Sequence, residues 1–390
     1  MSKIRIAIIG GGASGLFAAA MLNDVGADVV VFEKNNKLGK KILASGNGKC
    51  NFTNTNCDND CYNHTLASTV IEKFTVEDTL KEFSKMGLIY KTDDSGRCYP
   101  VSECAISVLD CLKGSIGNVV IKLDCAVQSV AFEKNKIELI YNATYKEQFD
   151  YLICCSGSLA SNLGSDKAYS YLKHLNLSFN EIKPSLVPVV LKENVSGMSG
   201  VRVKCIASLI DKNNKVVYSE KGEIIFKDNG ISGISIFNIS SYINRKRGQY
   251  KISLDISSGL EIDVLKEYFK NKKTSNLFKG FLNDKIADYI YDCCGVIDGK
   301  SEISINRIVE KIKNLEFNVV GLYPLKDSQV CSGGVALEEI NENLSLRKFP
   351  SIYIAGELLD VDGLCGGYNL QFAWSSAGVI AKDIERKIKK

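Results

Sequence analysis

The sequence predicts an α/β fold in which one domain is built from both ends of the chain and is interrupted by an insertion. The first 33 residues follow a strand–turn–helix–strand pattern, which is typical of such domains. Residues 351–355 and 368–387 show the same α/β pattern again, with a strand and a final helix. Between them the pattern changes to short alternating runs and then to helical periodicity. The predicted boundaries are 1–189 and 318–390 for the split domain, 190–259 for a β-rich part and 260–317 for a helical part.

The elements of the first domain are predicted from local pattern. Residues 4–9 are an isoleucine-rich run ended by Gly10, as expected of a buried parallel strand. Residues 16–25 form a helix with small residues toward the sheet, and Gly26 ends it. Residues 28–32 are a β-branched second strand. The remaining predictions are an irregular segment at 35–63, helices at 76–86 and 102–113, and strands at 119–123, 127–132, 137–141 and 150–155.

Composition excludes several classes of protein. The chain has 390 residues, of which 45% are hydrophobic and 24% are charged, so it is a globular protein rather than a disordered chain or a rod. Fourteen cysteines are too dilute for a small disulfide scaffold. The start lacks a signal-peptide pattern and no apolar stretch of about 20 residues is uninterrupted, so we expect a cytoplasmic protein with reduced thiols and no membrane span. The net charge of +4 is too small to imply nucleic acid, and the oligomeric state stays open.

The turn after the first strand fits a dinucleotide-binding motif. Residues 10–15 match G-x-G-x-x-G, follow a strand, open a helix and precede the acidic Glu33 by 18 positions. Gly10 permits a tight turn, Gly12 lets the backbone approach a pyrophosphate, and Gly15 lets helix and strand pack closely. Ala13 and Ser14 then place their N–H groups at the positive end of the helix. Glu33 would accept hydrogen bonds from a ribose.

A longer pattern favours FAD over NAD as the dinucleotide. The residues of the extended pattern resemble the fingerprint of glutathione-reductase-like flavoproteins; they are Ala19, Leu22, Gly26, Val29, Glu33 and Gly39. The second glycine of that pattern is Lys40 in this chain. No second G-x-G-x-x-G follows a strand, so a separate NAD(P)H-binding Rossmann domain is not expected.

Several blocks resemble one bacterial family, the BaiN-like or aminoacetone-oxidase-family FAD-binding flavoproteins. The blocks span nearly the whole chain and are residues 39–54, 96–102, 184–188, 222–226, 230–233, 355–363 and 366–371. The resemblance implies an FAD-type Rossmann domain of the glutathione-reductase type, split by a β-barrel-like domain and a small helical subdomain. It also implies redox chemistry that leans toward reduction of activated C=C bonds. The chain departs from the family pattern at Lys49, at 227–229, at Ile234, at Cys331 and at Cys365.

Further cofactor contacts are predicted in three places. A loop rich in glycine and lysine could neutralise the pyrophosphate or hydrogen-bond the flavin, although its polar residues could equally be solvated or close turns; its members are Lys34, Gly39, Lys40, Lys41, Ser45, Gly46, Asn47, Gly48, Cys50 and Asn51. Val127, Ser156 and Gly157 are assigned to the same site. At the other end of the chain, Gly356 ends a strand, and Glu357 or Asp360 would accept from ribityl hydroxyls.

The glycines that open the last helix are predicted to lie at the flavin ring. Gly366 and Gly367 let the backbone approach the ring edge, followed by Tyr368, Asn369 and Leu370. The positive end of this helix would stabilise negative charge on the reduced flavin.

Residues for acid catalysis are harder to assign. His64 and His174 are the only histidines and lie outside the matched blocks, so Tyr368, Arg97 and Tyr99 are the candidates. Cys50 has no C-x-x-C partner, which argues against a redox thiol. The C-x-x-x-C-x-x-H pattern over residues 57–64 offers only three ligands, so no metal is predicted.

The leading functional hypothesis is an FAD-dependent oxidoreductase that exchanges a hydride between reduced flavin and an activated C=C of a small organic substrate. NAD(P)H is the expected diffusible reductant. One alternative is a flavin-dependent amine oxidase or dehydrogenase. Another is an RNA-binding flavoprotein related to tRNA-modifying enzymes. This alternative is suggested by the basic stretches 245–247 and 266–279. Because such stretches are usually solubilising faces, nucleic acid is not the expected partner.

Overall fold

The computed structural model describes residues 3–161, 169–246, 248–272, 277–295 and 301–390. The chain forms two compact units, Met1–Lys183 with Val330–Lys390, and Pro184–Gln329. The inserted unit therefore begins before the predicted residue 190 and ends after residue 317. It also contains the β-rich and helical parts together. The boundaries lie further out because the first and last strands of a barrel, near residues 190 and 320, pair with each other.

The elements are numbered in chain order. Before the insertion they are β1 (Arg5–Ile9), α1 (Ala13–Met21), β2 (Asp28–Phe32), α2 (Lys40–Ala44), β3 (Thr53–Asn54), α3 (Thr65–Lys73), α4 (Val76–Lys85), β4 (Tyr90–Thr92), β5 (Arg97–Pro100), α5 (Ala105–Gly114), β6 (Val120–Lys122), β7 (Val127–Glu133), β8 (Lys136–Tyr141), β9 (Tyr145–Phe149), β10 (Tyr151–Cys154) and β11 (Phe179–Ser185). Within the insertion they are β12 (Val189–Leu191), β13 (Arg202–Asp211), β14 (Val216–Lys227), β15 (Gly230–Gly233), α6 (Ile234–Arg245), β16 (Tyr250–Asp255), α7 (Ile262–Lys270), α8 (Asp284–Cys294), α9 (Glu302–Lys313) and β17 (Leu315–Leu322). After it come β18 (Val330–Val335), β19 (Ile352–Ile354) and α10 (Tyr368–Ile388).

The first unit is built on a parallel sheet in the order β19-β10-β1-β2-β6. Each strand runs beside its neighbour in the same direction, so all the strands end at one edge. Strands β1, β2, β10 and β19 are mostly buried, as their continuous apolar runs predict, whereas the edge strand β6 is partly exposed. Helices α1 and α10 pack together, with the rings of Phe17 and Trp374 centred 5.5 Å apart. Because β19 and α10 come from the far end of the chain, the domain is split as predicted.

Three details differ from the sequence predictions. Helix α1 starts three residues earlier than expected and ends at Met21, so Gly26 lies in the following turn rather than at the helix end. The segment 35–63 is not wholly irregular, since it contains α2 and β3. Helix α6 lies in a region that was predicted to form strands. Its apolar residues alternate closely with serines and asparagines, and this alternation resembles a strand pattern.

The inserted unit is a closed barrel with strand order β12-β15-β14-β13-β16-β17. Its interior is aromatic and aliphatic, and Phe226 and Phe317 lie 6.0 Å apart between ring centres. Helix α8 packs on this core through Tyr289, whose ring lies 5.9 Å from that of Phe317. The predicted combination of a barrel-like part and a helical part is therefore confirmed. Within the described ranges, the helices are all too short or too polar to cross a membrane.

Candidate functional site

The turn between β1 and α1 is shaped by glycine. Gly10 has a φ of +107°, and a side chain there would meet the carbonyl oxygen of Cys155 at 2.3 Å. At Gly15 a Cβ would lie 1.9 Å from the carbonyl oxygen of Gly10, so only glycine lets α1 approach the turn. A Cβ at Gly12, in contrast, would meet no protein atom within 4 Å. The space in front of Gly12 is thus open at the start of α1.

The N-terminus of α1 keeps its donors available. Gly12 is the N-cap residue, and no side chain accepts from the first N–H groups of the helix. Ala13 and Ser14 form the first turn, and the hydroxyl of Ser14 lies 3.0 Å from where a Cβ of Gly356 would be. Because uncapped helix starts favour anions, this turn can hold a pyrophosphate.

Glu33 is buried at the end of β2 and organises the same turn. Its carboxylate accepts from the N–H of Gly11 at 2.7 Å. It also accepts from the backbone N–H of Asn35 at 2.8 Å and from the Asn35 amide at 2.6 Å. A carboxylate has about four acceptor positions, so the geometry leaves room for a ribose hydroxyl beside these three bonds.

Gly39, at the start of the block 39–54, is bonded to this turn. Its N–H donates to the carbonyl of Gly11 at 2.8 Å. Lys40 donates to the side-chain oxygen of Asn35 at 3.2 Å, so it lies on the Glu33 side of the turn. Lys34, which directly follows Glu33, is exposed. Contacts of Lys34 and Lys40 with a phosphate or a ribose stay predictions.

Lys41, Ser158 and Glu357 form a polar cluster at the carboxyl edge of the sheet. The ammonium of Lys41 donates to the Ser158 carbonyl at 3.1 Å and to a Glu357 oxygen at 3.3 Å. The Ser158 hydroxyl donates to the same Glu357 oxygen at 2.9 Å. Nearby, Gly157 has a left-handed φ of +74° and the Ser156 hydroxyl contacts the hydroxyl of Tyr171 at 3.1 Å. Residues from α2, from the loop after β10 and from the loop after β19 thus meet at this edge of the sheet.

Asp360 takes a structural position. Its two carboxylate oxygens accept from the Gly333 N–H at 2.7 Å and from the Asn180 amide at 2.8 Å. These bonds hold β11 and β18 beside the segment that follows β19. Of the two carboxylates predicted to bind the ribityl chain, Glu357 is the one that lies with Lys41.

The loop after α2 has an unusual backbone. Positive φ angles occur at Gly46, Asn47, Gly48 and Cys50. The loop is closed by the Cys50 N–H, which donates to the Ser45 carbonyl at 3.1 Å, while residues 46–49 are exposed. Left-handed conformations at non-glycine residues such as Asn47 and Cys50 cost energy and are often found at ligand sites. The backbone of this segment is therefore compatible with the predicted cofactor contacts.

The start of α10 faces this loop. Gly367 has a φ of +100°, and a Cβ there would lie 2.7 Å from the Thr53 carbonyl and 2.9 Å from the side-chain oxygen of Asn51. That Asn51 oxygen is buried without a hydrogen-bond partner among the described residues. No side chain caps α10. A buried acceptor and uncapped donors therefore converge here, which suits a ligand with both kinds of polar group.

The glycine segment before α10 is locked by side chains. Asn369 accepts from the Gly363 N–H at 2.8 Å and donates to the Gly363 carbonyl at 2.9 Å. Asn54 donates to the Gly366 carbonyl at 2.9 Å. Leu370 is half-buried in the first turn of α10. Asn369 and Leu370 therefore shape the segment rather than project from it.

Tyr62 supports the predicted catalytic Tyr368 and was not found from the sequence. Its hydroxyl donates to the Tyr368 carbonyl at 2.8 Å, and the two rings are 6.2 Å apart in an edge-on arrangement. Burial raises the pKa of Tyr368 well above its ordinary value, with the Cys61 thiol adding to the effect. Tyr368 is therefore a protonated phenol at neutral pH. Nothing in the spacing of residues 57–64 marks Tyr62.

Arg97 and Tyr99 lie on one face of β5. Arg97 is paired with Asn54 of β3, and Asn54 in turn contacts Gly366. Burial raises the pKa of Tyr99, partly opposed by the nearby Arg97, and Cys365 also acts on it. These two candidates are thus brought toward the start of α10, where Tyr368 lies.

Val127 begins β7, two residues after Cys125, whose N–H donates to the Glu33 carbonyl at 2.8 Å. Val127 therefore follows a segment bonded to Glu33, and its contact with the cofactor stays a prediction.

The fourteen cysteines all lie in the described ranges, and none of them forms a disulfide there. In the described part of the chain, no group of three or more His, Cys, Asp or Glu side chains could hold a metal ion. Within residues 57–64, the Cys57 sulfur contacts Tyr62, the Cys61 sulfur contacts Asp58, and His64 accepts from the Leu66 N–H instead of converging.

We expect Cys50 to be chemically inert in the native protein. It is buried, and burial raises its pKa to about 11, against a smaller opposing effect of Ser45. At pH 7.5 it is a neutral thiol, so iodoacetamide should label the exposed Cys104 at least about tenfold faster. Mass spectrometry of the alkylated peptides measures this ratio. Equal labelling would mean that the loop opens in solution.

The residues therefore fit FAD by the tests that the structure allows. There is open space before Gly12, two helix starts are uncapped, and the Asn51 acceptor is buried and unpartnered. Glu33 and Glu357 lie at the carboxyl ends of two strands of one sheet. A dinucleotide that extends from the first of these features to α10 would contact both ends of the chain.

Comparison with known proteins gives three findings. A family model described as the HI0933-like protein Rossmann domain matches residues 4–383. The 3-dehydro-bile acid delta(4,6)-reductase of Clostridium scindens is 32% identical over 409 residues, which cover 95% of this chain and 97% of the relative. The ribosomal RNA dihydrouridine synthase of Escherichia coli is 26% identical over 403 residues, which cover 98% of each chain.

Among solved structures, the chain is similar to the 3-ketosteroid-delta4-(5alpha)-dehydrogenase from Rhodococcus jostii RHA1. The identity is 11% and the TM-score is 0.49, over 98% of this chain and 97% of that one. A likeness of this size carries no part of the functional argument.

Proposed function

The chain belongs to the HI0933-like Rossmann family, and from this membership we propose that it reduces a C=C bond conjugated to a carbonyl group. The resemblance to BaiN-like flavoproteins that was stated from the sequence motifs is confirmed, and the chain is an FAD-dependent oxidoreductase. The proposal concerns the bond that it reduces, the electron donor and the residues involved.

The observation that carries the proposal is a reaction shared by two relatives with unlike substrates. One relative is named as a delta(4,6)-reductase of a 3-dehydro-bile acid and the other as a dihydrouridine synthase. In a 3-oxo steroid, double bonds at these positions are conjugated to the ketone. Dihydrouridine is uridine whose ring C=C, also conjugated to a carbonyl, has been saturated. Net addition of a hydride and a proton across such a bond is common to both names.

Bound FAD, once reduced by NAD(P)H, supplies the hydride in this proposal. The start of α1, with Gly12 at its N-cap, would hold the pyrophosphate and Glu33 the ribose. Lys41 and Glu357, which contact each other, would bind the ribityl chain. The start of α10, with Asn51, would contact the flavin ring and stabilise negative charge on it.

The proton has to reach the carbon next to the carbonyl. Tyr368 and Tyr99 are protonated at neutral pH, as tyrosines ordinarily are, and burial raises the pKa of each further. Each therefore carries a proton that it would donate in the reaction. Arg97 can donate to the carbonyl oxygen, where negative charge develops as the hydride is added. Tyr62 keeps the α10 end of this group in position through its bond to the Tyr368 carbonyl.

We expect NADH or NADPH to bleach the flavin absorbance of the purified protein under anaerobic conditions. Adding a conjugated enone should then restore the absorbance with one equivalent of saturated product per flavin. Stopped-flow absorbance with product analysis measures both halves. A flavin that neither nucleotide reduces would reject the proposed donor. Peroxide formed with amines in air would instead support the amine oxidase alternative.

A second candidate function is reduction of uracil in RNA. The inserted unit, residues 184–329, carries 22 basic and 17 acidic residues, whereas the rest of the chain carries 27 and 28. The insertion thus holds a net charge of +5 against −1 elsewhere, an asymmetry that suits a polyanion. Of the basic stretches that motivated this idea, Arg247 and residues 273–276 lie outside the described residues. RNA binding that weakens steeply with salt would favour this candidate.

We also propose that the reaction takes place in the cytoplasm, because the proposed donor NAD(P)H is replenished there.

A further inference from the structure

One face of the β4–β5 hairpin leads away from the start of α10 to a charged cavity. Lys91 is paired with Tyr99 across the hairpin, and Arg97 is paired with Asn54. Since alternate residues of a strand share a face, Arg97, Tyr99 and Lys91 lie on one side. Cys98, on the opposite side, is buried. We call the side that carries Arg97, Tyr99 and Lys91 the open face of the hairpin.

The cavity has a volume of about 320 Å³ and is lined by Lys49, Lys91, Asp93, Tyr99 and Glu103. The two lysines, Lys49 and Lys91, both contact the carboxylate of Glu103. Lys49 contacts a Glu103 oxygen at 2.6 Å, and Lys91 contacts the other oxygen. The two lysines come from different segments, the loop after α2 and the strand β4, and they meet only at Glu103.

Asp93, the second acidic residue of the cavity, accepts hydrogen bonds from the backbone. The side-chain oxygen of Asp93 accepts from the N–H groups of Ser95 and Arg97, each at 2.9 Å, and so closes the β4–β5 turn. The Glu103 carboxylate, in contrast, accepts from no backbone N–H of the described residues. Its side chain is 41% exposed and its backbone has a left-handed φ of +51°. Within the described part of the chain, the Glu103 carboxylate is held by Lys49 and Lys91.

We propose that Lys49 and Lys91 bind an anionic oxygen group, a carboxylate or a phosphate, of the ligand that approaches the flavin, and that Glu103 occupies this position until the ligand displaces it. This inference rests on the proposed function, because it assigns a ligand class to the same site. Tyr99 belongs to the cavity and is also a candidate acid, so the ligand's anionic group and its reacting bond would lie on either side of one residue.

The surroundings of the cavity indicate that the anion belongs to an amphipathic molecule. Ile89 is 76% exposed and Val101 is 54% exposed. The two are neighbours across the hairpin, since the Val101 N–H donates to the Ile89 carbonyl at 2.9 Å. Exposed aliphatic residues beside a pair of lysines can contact the apolar part of a ligand whose acidic group is held by the lysines.

Two sources of the anion are compatible with this chemistry, a carboxylate on the substrate and the extra phosphate of NADPH. Two matched pairs of probes separate them. The first pair is a 3-oxo-4-ene steroid carboxylic acid and its methyl ester, and the second pair is NADPH and NADH. Dissociation constants are measured on the FAD-loaded full chain from the perturbation of the oxidised flavin spectrum for the steroids. For the nucleotides they are measured from the concentration dependence of anaerobic flavin reduction.

In at least one pair, Lys91→Gln should weaken the charged member about tenfold, as expected for loss of a charge-assisted hydrogen bond at a partly exposed site. Glu103→Gln should tighten the same member several-fold, because it removes the competing carboxylate. The uncharged member, or NADH in the second pair, should change less than about twofold with either variant. A salt bridge with only a structural role would not give effects of opposite sign.

Lys85→Gln and Glu82→Gln provide the matched control, since they break an ion pair of 2.7 Å on α4 of the same unit. They should leave all four constants unchanged. The inference is overturned if both cavity variants shift affinity in the same direction, if neither shifts it, or if neither charged probe binds the unsubstituted protein. Because the steroid arm measures binding without turnover, it can succeed even if no C=C is reduced, which would reject the proposed function alone.

Discussion

Replacing Gly12 with alanine is expected to weaken FAD binding about a hundredfold, equivalent to about 2.7 kcal/mol, while the folded protein keeps its stability. A Cβ at this position meets no protein atom within 4 Å. The backbone has φ −91° and ψ −158°, which alanine adopts without strain. The added methyl group would occupy only the space through which we expect the pyrophosphate to approach. The ratio of flavin to protein after purification, with a titration of the apoprotein, measures the loss.

Gly15→Ala is the matched comparison because its Cβ would lie 1.9 Å from the Gly10 carbonyl oxygen. This variant should lose flavin and also about 2–3 kcal/mol of stability, as overpacked cores do. Thermal unfolding of the two apoproteins separates the effects. If Gly12→Ala binds FAD as tightly as the unsubstituted chain, the pyrophosphate does not contact this turn. If it unfolds like Gly15→Ala, the open space before Gly12 is filled in solution.

Replacing Gly367 with alanine is expected to lower the two-electron reduction potential of the bound flavin by about 20–40 mV. The change corresponds to about 1–2 kcal/mol of lost stabilisation of the reduced form. The new Cβ would be 2.7 Å from the Thr53 carbonyl and 2.9 Å from the Asn51 oxygen, so the start of α10 has to move. The donors at this helix start would then lie further from the flavin ring. Spectroelectrochemical titration of the FAD-loaded protein measures the potential.

Gly87→Ala is the control for backbone strain. Gly87 has a φ of +86°, close to the +100° of Gly367, but a Cβ there meets nothing within 4 Å. It should cost about 1 kcal/mol of stability and leave the potential unchanged. An unchanged potential in Gly367→Ala, with FAD bound, would show that α10 does not act on the flavin.

The parts of the site that lie close together in the chain could be predicted from the sequence. The glycines at positions 10, 12 and 15 follow one strand and fit one contiguous motif, so the sequence alone indicates the β1 turn. The glycines before α10 are contiguous too, although the groups that exclude a side chain at Gly367 belong to Thr53 and Asn51. Asp360 shows the limit of this reasoning, because its position after a strand suggested a cofactor contact. In the structure its oxygens hold Gly333 and Asn180, which belong to strands of a different sheet.

The fold class, the FAD-type turn and the family could be predicted from the chain's linear order of residues, since each depends on motifs that are contiguous in the chain. Which polar groups meet is seen only in the three-dimensional structure. Lys41 and Glu357 are far apart in the chain, as are Tyr62 and Tyr368, yet both pairs are in contact. Likewise, Lys49 from the loop after α2 and Lys91 from strand β4 both contact Glu103, which follows strand β5. Side-chain pairing across such separations depends on how the sheet and helices pack, and no local periodicity records it.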